Sequence, residues 1–467
     1  MTVINIVALR TGGSASDSPI AKAPLTNPVN NARIDGVTRT EGLLQLLFIH
    51  QNLPGQFRHL AVHLARDGKN RVVFLTKRQD RSIPGVERAV YTPPRAPHPR
   101  THHYLHQYED AVLHGQAAAR ACIALNESGF IPDLVVAHPG WGEGLFIKDI
   151  WPQIPLLNYG EFFYRSFGTD VNFDPERSLD IDTICKLRAR NAHLLVALEA
   201  ADRTLCPTEW QKSVHPTAFH DRISVVFDGV DTAAVAPDPR ARVTLPNGRV
   251  LTAEDEVVSY VARNLEPLRG FHTLMRSLPL LCARRPHAQI VIIGHDGPGY
   301  GWTAPGGISW RERMLGEVAI NRDRVHFLGI VPYAEYLSLL QISAAHVYLT
   351  APFVLSWSVV EAMAAGCLVI GSRTEPVEEL IEHGHNGLLV DFFSPTELAD
   401  TISMALGGRR GFGQLRQQAR ETVLQDYSVA ACLPRQLAIA GEMTGRPAHK
   451  PKSCLQVGGP SCKQRLT

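Results

Sequence analysis

Residues 345–371, AHVYLTAPFVLSWSVVEAMAAGCLVIG, decide how the rest of the chain is read. Apolar runs at 345–349 and 368–371 flank a stretch of small residues with helical character. Strand, small-residue helix, strand is the pattern of a parallel βαβ unit, whose strands are covered on both faces and read as unbroken apolar runs. Toward the N-terminus the same alternation recurs, with strands expected at 223–227, 257–261, 289–294 and 324–328. The first half carries it too, at 44–49, 71–76, 134–137, 155–159 and 202–206, with helices expected over 55–67 and 108–126. Two α/β halves of similar size, without internal repetition, predict two doubly wound domains with a cleft between them.

The division is expected near 215–222, giving a first domain over 44–215 and a second over 222–440. Residues 1–43 and 441–467 lack periodicity and read as disordered extensions that carry no chemistry. A chain of 467 residues is too long for one ordinary core. Its 45% hydrophobic and 20% charged residues are those of an ordinary globular protein. A formal charge of +2 leaves no net basic excess to neutralise a phosphate backbone, so no nucleic-acid partner is expected. The eight cysteines are scattered, without a CxxC pair, which excludes the usual zinc and disulfide frameworks and suits a reduced, cytoplasmic protein. No apolar run approaches the roughly 20 residues that span a bilayer, and the start lacks the pattern of a signal peptide.

Several short segments carry candidate chemistry. In FIHQNLPGQFRHLAVHLA (48–65), Gly55 stands between the first strand and a helix, where backbone can approach a ligand, although any tight strand-to-helix turn also needs glycine. In AHPGWGE (137–143), His138 ends an apolar strand and by topology faces the cleft. Trp141 and Glu143 beside it offer an aromatic face and a carboxylate. In ARNLEPLRG (262–270), Arg263 directly follows an apolar strand, where a charge needs a reason. His102 and His106 of HHYLH share a helical face but lack an accompanying carboxylate pattern, so no metal site is expected. GHDGPGYG (294–301) is glycine-rich without the GK[ST] of a P-loop, and an ATPase is excluded.

Taken in order, VVFDGVDTAAVAP (225–237), YVARNLEPLRGFHTLM (260–275), VIIGHDGPGYG (291–301), VHFLGIVPYAEYLSLL (325–340) and the segment through GLLV at 387–390 resemble the family 4 glycosyltransferases, retaining enzymes of GT-B fold. The resemblance runs from about residue 44 to about 426, and FIHQNLPGQFRHLA, AHPGWGE, NFDPE, PTEWQ and APFVLSWSVVEAMAAG are similar to one branch of that family. It implies two Rossmann-like domains and a donor diphosphate held by Arg263 and Arg269, with arginine where the family has lysine and one extra residue between the pair. A guanidinium fork suits the charge that a departing diphosphate gains. Glu361 matches the second Glu of the family's E-x₇-E motif, which contacts the ribose hydroxyls. The first Glu, close to the transferred sugar in the family, is replaced by Phe353, which implies either a ring packed on a sugar face or a site that has lost activity.

The resemblance also implies that Ser356 and Ser358 open a helix whose free N–H groups cap the diphosphate. It assigns Gly55 and Gly294 to donor binding and His138 to the neighbourhood of the transferred sugar, with Trp141 and Glu143 beside it as contacts to an acceptor sugar. A helix near 422–436 is expected to cross back to the first domain. The implied reaction is transfer of a sugar from a nucleotide-sugar donor to a sugar, glycan or lipid-linked acceptor, with retention, without a metal or a cofactor, and with room for peripheral membrane contact. A catalytically silent GT-B module that binds a glycan or a partner, and an epimerase or phosphorylase of the same fold, remain as alternatives.

Overall fold

The structure is a computed structural model that describes residues 43–66, 68–408 and 411–445. Seven parallel strands form the first sheet: β1 (Leu44–Ile49), β2 (Asn70–Thr76), β3 (Val86–Val90), β4 (Leu134–Ala137), β5 (Leu156–Tyr159), β6 (Arg203–Cys206) and β7 (Ile223–Val225), in the order β3-β2-β1-β4-β5-β6-β7. After the antiparallel pair β8 (Arg242–Thr244) and β9 (Val250–Thr252), six parallel strands form the second sheet. They are β10 (Val257–Asn264), β11 (Gln289–His295), β12 (Val325–Gly329), β13 (Ala345–Tyr348), β14 (Val369–Ser372) and β15 (Leu388–Val390), in the order β12-β11-β10-β13-β14-β15. Both sheets are doubly wound, because right-handed crossovers place helices on both faces and leave the central strands dry. In β1, Leu47 and Phe48 are fully buried, opposite Val73 and Phe74 of β2 and Val135 and Val136 of β4.

The expected strands are found, with ends shifted by a few residues. The expected helix at 55–67 is a tight turn, Gly55–Phe57, leading into the helix Arg58–Arg66. The one expected at 108–126 is His106–Glu127. Four short strands are unanticipated: β3, β8, β9 and β15. β3 reads VERAV and lies at the sheet edge, where charged residues take the place of the continuous apolar run of a central strand.

Two boundaries need correction. Ile223–Val225 pairs with β6 and closes the first sheet, so the division expected at 215–222 lies beyond Val225. The last helix, Val429–Met443, runs past the expected end at 440 and packs on the first domain. There Gln436 Nε2 donates to the carbonyl of Phe227 at 2.9 Å, and Leu437, Ile439 and Ala440 share an apolar cluster with Leu60 and Ala61. The expectations for residues 1–42 and 446–467 lie outside the described residues. Among the described residues no helix is long and apolar enough to cross a membrane.

The carboxyl ends of the two sheets face one another, which is where doubly wound sheets place ligands. Contacts across the divide fix the approach. Glu379 accepts from the backbone N–H groups of Glu209 and Trp210, both at 2.7 Å, and Arg276 pairs with Glu176 at 2.5 Å. Asp228, in the linker, accepts from Tyr159 of β5 and from the indole of Trp357, both at 2.6 Å. Burial pushes its carboxyl up to about 6.

Candidate functional site

The first-domain wall grows from the ends of β1, β4 and β5. Gly55 has φ +54°, and a Cβ there would lie 2.6 Å from His50 Nε2, so only glycine lets this turn fold over the imidazole. His50 Nδ1 accepts from Asn52 N–H at 2.8 Å, which leaves the proton on Nε2, 2.7 Å from Gln56 Oε1. Burial, with His138 next to it, pushes the His50 imidazole down to about 3, so this ring is neutral. Gln56 Nε2 in turn donates to Glu161 Oε1 at 2.7 Å.

His138 closes the chain of contacts. Its Nδ1 accepts from Gly140 N–H at 3.1 Å, which leaves Nε2 facing Glu161 Oε2 at 3.5 Å. The ring stacks on Trp141, with centroids 4.8 Å apart. The Glu161 side chain is 31% exposed, open to the cleft on one side and enclosed on the others. Burial raises its carboxyl, but the nearby His138 and the hydrogen bond from Gln56 outweigh this and hold it below the usual range. The sequence reading did not single out Glu161, yet its signal is close to that of Arg263: a charged residue where an apolar strand ends, Arg263 in the last residues of β10 and Glu161 two residues beyond β5.

The second-domain wall grows from β10, β13 and the helix Trp357–Ala364. Arg263 Nη1 donates to Tyr300 Oη at 2.7 Å. Arg269, on the turn Pro267–Arg269, is aimed by Thr350 Oγ1 at 2.8 Å and the Val354 carbonyl at 3.0 Å. Ser356 caps the helix, accepting from Ser358 N–H at 3.3 Å, while its own N–H donates to Tyr348 Oη at 2.8 Å. Arg263, Arg269, Tyr300 and Ser356 line one cavity of about 50 Å³. Cations and a capped helix start therefore converge, the arrangement that binds phosphate.

Other expected residues fall elsewhere. Glu361 is 5% exposed and accepts from Tyr333 Oη at 3.0 Å and Tyr336 Oη at 2.6 Å, and burial raises its carboxyl. Each oxygen keeps a lone pair for a further donor. Gly294 has a packing role: a Cβ there would sit 2.5 Å from Leu265 Cδ2, so glycine lets β11 approach the turn after Arg263. Glu143 is not presented to an acceptor. It is fully buried, with Oε1 taken by Tyr91 Oη at 2.5 Å and His114 Nδ1 at 3.8 Å. Its strand-to-helix turn packs against the helix His106–Glu127 instead of opening on the cleft. Phe353 is 5% exposed, in an apolar cluster with Phe162, Val214, Leu268 and Ala351, and the Arg269 guanidinium lies 5.5 Å from its ring centre. Of the histidine run, His103 bonds Asp182 at 2.9 Å, and among the described residues no group of three or more His, Cys, Asp or Glu could hold a metal ion.

Comparison with known proteins gives the same two halves. The model of the glycosyl transferase family 4 group matches residues 68–235, and that of the glycosyl transferases group 1 matches 247–423. The chain is 30% identical over 269 residues to a D-inositol 3-phosphate glycosyltransferase of Corynebacterium glutamicum, covering 56% of this chain and 60% of that protein. It is 32% identical over 193 residues to a phosphatidyl-myo-inositol mannosyltransferase of Mycolicibacterium smegmatis, covering 40% and 43%. The chain thus spans six-tenths or less of these curated relatives. Among solved structures, a sucrose-phosphate synthase from Thermosynechococcus elongatus superposes with a TM-score of 0.64 at 18% identity, over 86% of this chain and 99% of that one. Anabaena HepE in complex with UDP-glucose superposes at 0.58 and 16%, over 85% and 99%. At such identities these structures establish the fold alone: two facing Rossmann-like domains.

Proposed function

We propose that this chain, whose two halves match the glycosyl transferase family 4 group and the glycosyl transferases group 1, is a family 4 glycosyltransferase that moves a sugar from a nucleotide-sugar donor to an acceptor hydroxyl with the anomeric configuration retained. One observation carries this reading: Arg263, Arg269 and the capped start of the helix Trp357–Ala364 line a single cavity. The diphosphate binds there, and the guanidinium groups offset the charge that grows on it as the anomeric C–O bond breaks. The acceptor oxygen bonds to the anomeric carbon on the face the diphosphate leaves, and its proton passes to a diphosphate oxygen. No carboxylate nucleophile is required, unlike in retaining glycoside hydrolases. The same positive charge serves in place of a metal ion.

Glu361, steadied by Tyr333 and Tyr336, accepts from the ribose hydroxyls. Across the cleft, Glu161 and His138 orient the hydroxyl groups of the reacting sugars. HepE was solved with UDP-glucose, so a UDP-sugar is the first donor to test.

The test is calorimetric titration with UDP and UDP-sugars, followed by NMR of the anomeric proton of the product. Micromolar UDP binding and an unchanged anomeric configuration are expected. Failure of every nucleoside diphosphate to bind, or an inverted product, overturns the proposal.

A further inference from the structure

A second and larger cavity, of about 370 Å³, lies between the first-domain segment 164–190 and the second-domain residues around 267, 300–302 and 351–353. Arg177, Lys186 and Arg190 all line it. Among the described residues none of the three has a carboxylate within salt-bridge distance. Arg190 instead donates to Tyr164 Oη at 2.6 Å with its guanidinium 3.6 Å from that ring's centre, and Arg177 stands 5.3 Å from the centre of Trp302. Stacked arginines of this kind keep further N–H groups for a planar anion.

Two carboxylates, Asp170 and Asp174, share the lining, so the three cations exceed them by one charge. Asp174 accepts from Glu176 N–H at 2.8 Å and lies 3.9 Å from His272. Asp170 has an oxygen buried without a hydrogen-bond partner, and burial raises its carboxyl to about 6. The excess positive charge of this concave site, carried by side chains that keep free N–H groups, favours an anionic ligand. Tyr300 lines both this cavity and the one that holds Arg263 and Arg269, so a ligand here adjoins the donor diphosphate. The volume lies in the range of small-molecule sites.

We propose that this cavity is the acceptor site and that it takes an acidic carbohydrate, one bearing a phosphate or a carboxylate, read by Arg177, Lys186 and Arg190. The word acceptor rests on the glycosyltransferase reading; the binding of an acidic sugar does not. The experiment titrates the full chain with glucose 6-phosphate, glucuronate, glucose and inorganic phosphate, and separately with UDP. Glucose 6-phosphate or glucuronate is expected to bind at least tenfold more tightly than glucose and than inorganic phosphate, and the preferred one of the two names the acidic group. Lys186→Ala and Arg177→Ala should each weaken that binding roughly tenfold, one charged contact apiece, with UDP affinity unchanged as the control for folding. Equal binding of glucose and the acidic sugars, no acidic-sugar binding, or variants that bind as the parent does each overturn the proposal. Acidic-sugar binding that depends on Lys186 and Arg177 in a chain that binds no nucleoside diphosphate would keep the site and remove the transferase reading alone.

Discussion

Phe162 of the first domain and Phe353 of the second meet nearly edge to face across the cleft, with ring centroids 4.8 Å apart and planes at 66°. Aromatic rings favour this geometry because the positive edge of one meets the negative face of the other. Phe353 stands where the family pattern has a carboxylate, and its ring is spent on Phe162 and on the Arg269 guanidinium. In this arrangement it joins the domains and supports Arg269, one arm of the proposed phosphate clamp.

Phe353→Ala should therefore lower stability by about 3–5 kcal/mol, the usual cost of emptying a buried aromatic site. UDP and UDP-sugar affinity should fall together, because Arg269 loses its neighbour. A double-mutant cycle with Phe162→Ala in chemical denaturation should return a coupling of about 0.5–1.5 kcal/mol. Selective loss of the sugar nucleotide, with free UDP unaffected, would show that the ring covers a sugar face instead.

Arg263 is exposed, and its guanidinium bonds and packs against Tyr300. Arg263→Ala should leave the melting temperature almost unchanged, since exposed substitutions stay within about 0.5 kcal/mol. It should cost on the order of 2–4 kcal/mol in transition-state stabilisation and weaken UDP binding. Parental turnover in the folded variant would remove Arg263 from the clamp.

Glu161→Gln keeps an oxygen able to accept from Gln56 but removes the charge opposite His138. Turnover should fall by about 10- to 100-fold, the scale of a lost hydrogen bond to a charged group, with UDP affinity retained. Because the native carboxyl is held below its usual range, the parent should keep its activity down to pH values below those of an ordinary glutamate. The acid limb of its pH–rate profile should be missing in the variant, and identical profiles would assign Glu161 a purely structural role.

Asp228 makes stability depend on pH in the sense opposite to a salt-bridged carboxylate. Its folded value is raised from 3.8 to about 6, so between these values the folded state holds a proton that the unfolded state has released. Stability should fall as pH rises from about 4 to about 6, by an amount on the order of 3 kcal/mol. Arg58 and Glu161 are the charged groups that face it, in opposing senses. Urea melts at several pH values, parent against Asp228→Asn, isolate the effect; parallel curves would mean that the Tyr159 and Trp357 hydrogen bonds already stabilise the ionised form.

The sequence by itself determined the two doubly wound domains, because a parallel strand buried on both faces must be apolar throughout and declares itself without any partner. It also singled out Arg263 as a candidate, since a charge at the end of such a strand has to meet a ligand or a polar contact, and its guanidinium meets Tyr300. Edge strands such as β3 were hidden, because VERAV pairs on one side alone and tolerates charge. Only the tertiary structure separated Glu143 from Glu161. Each follows an apolar strand of the same sheet, yet one is sealed against Tyr91 and His114 and the other opens on the cleft beside His138. Only the tertiary structure gathered Arg177, Lys186 and Arg190 around one cavity and set Phe353 against Phe162. Local sequence governs which backbone pattern a segment adopts, whereas the direction a side chain faces, and what it meets there, follow from how distant elements pack.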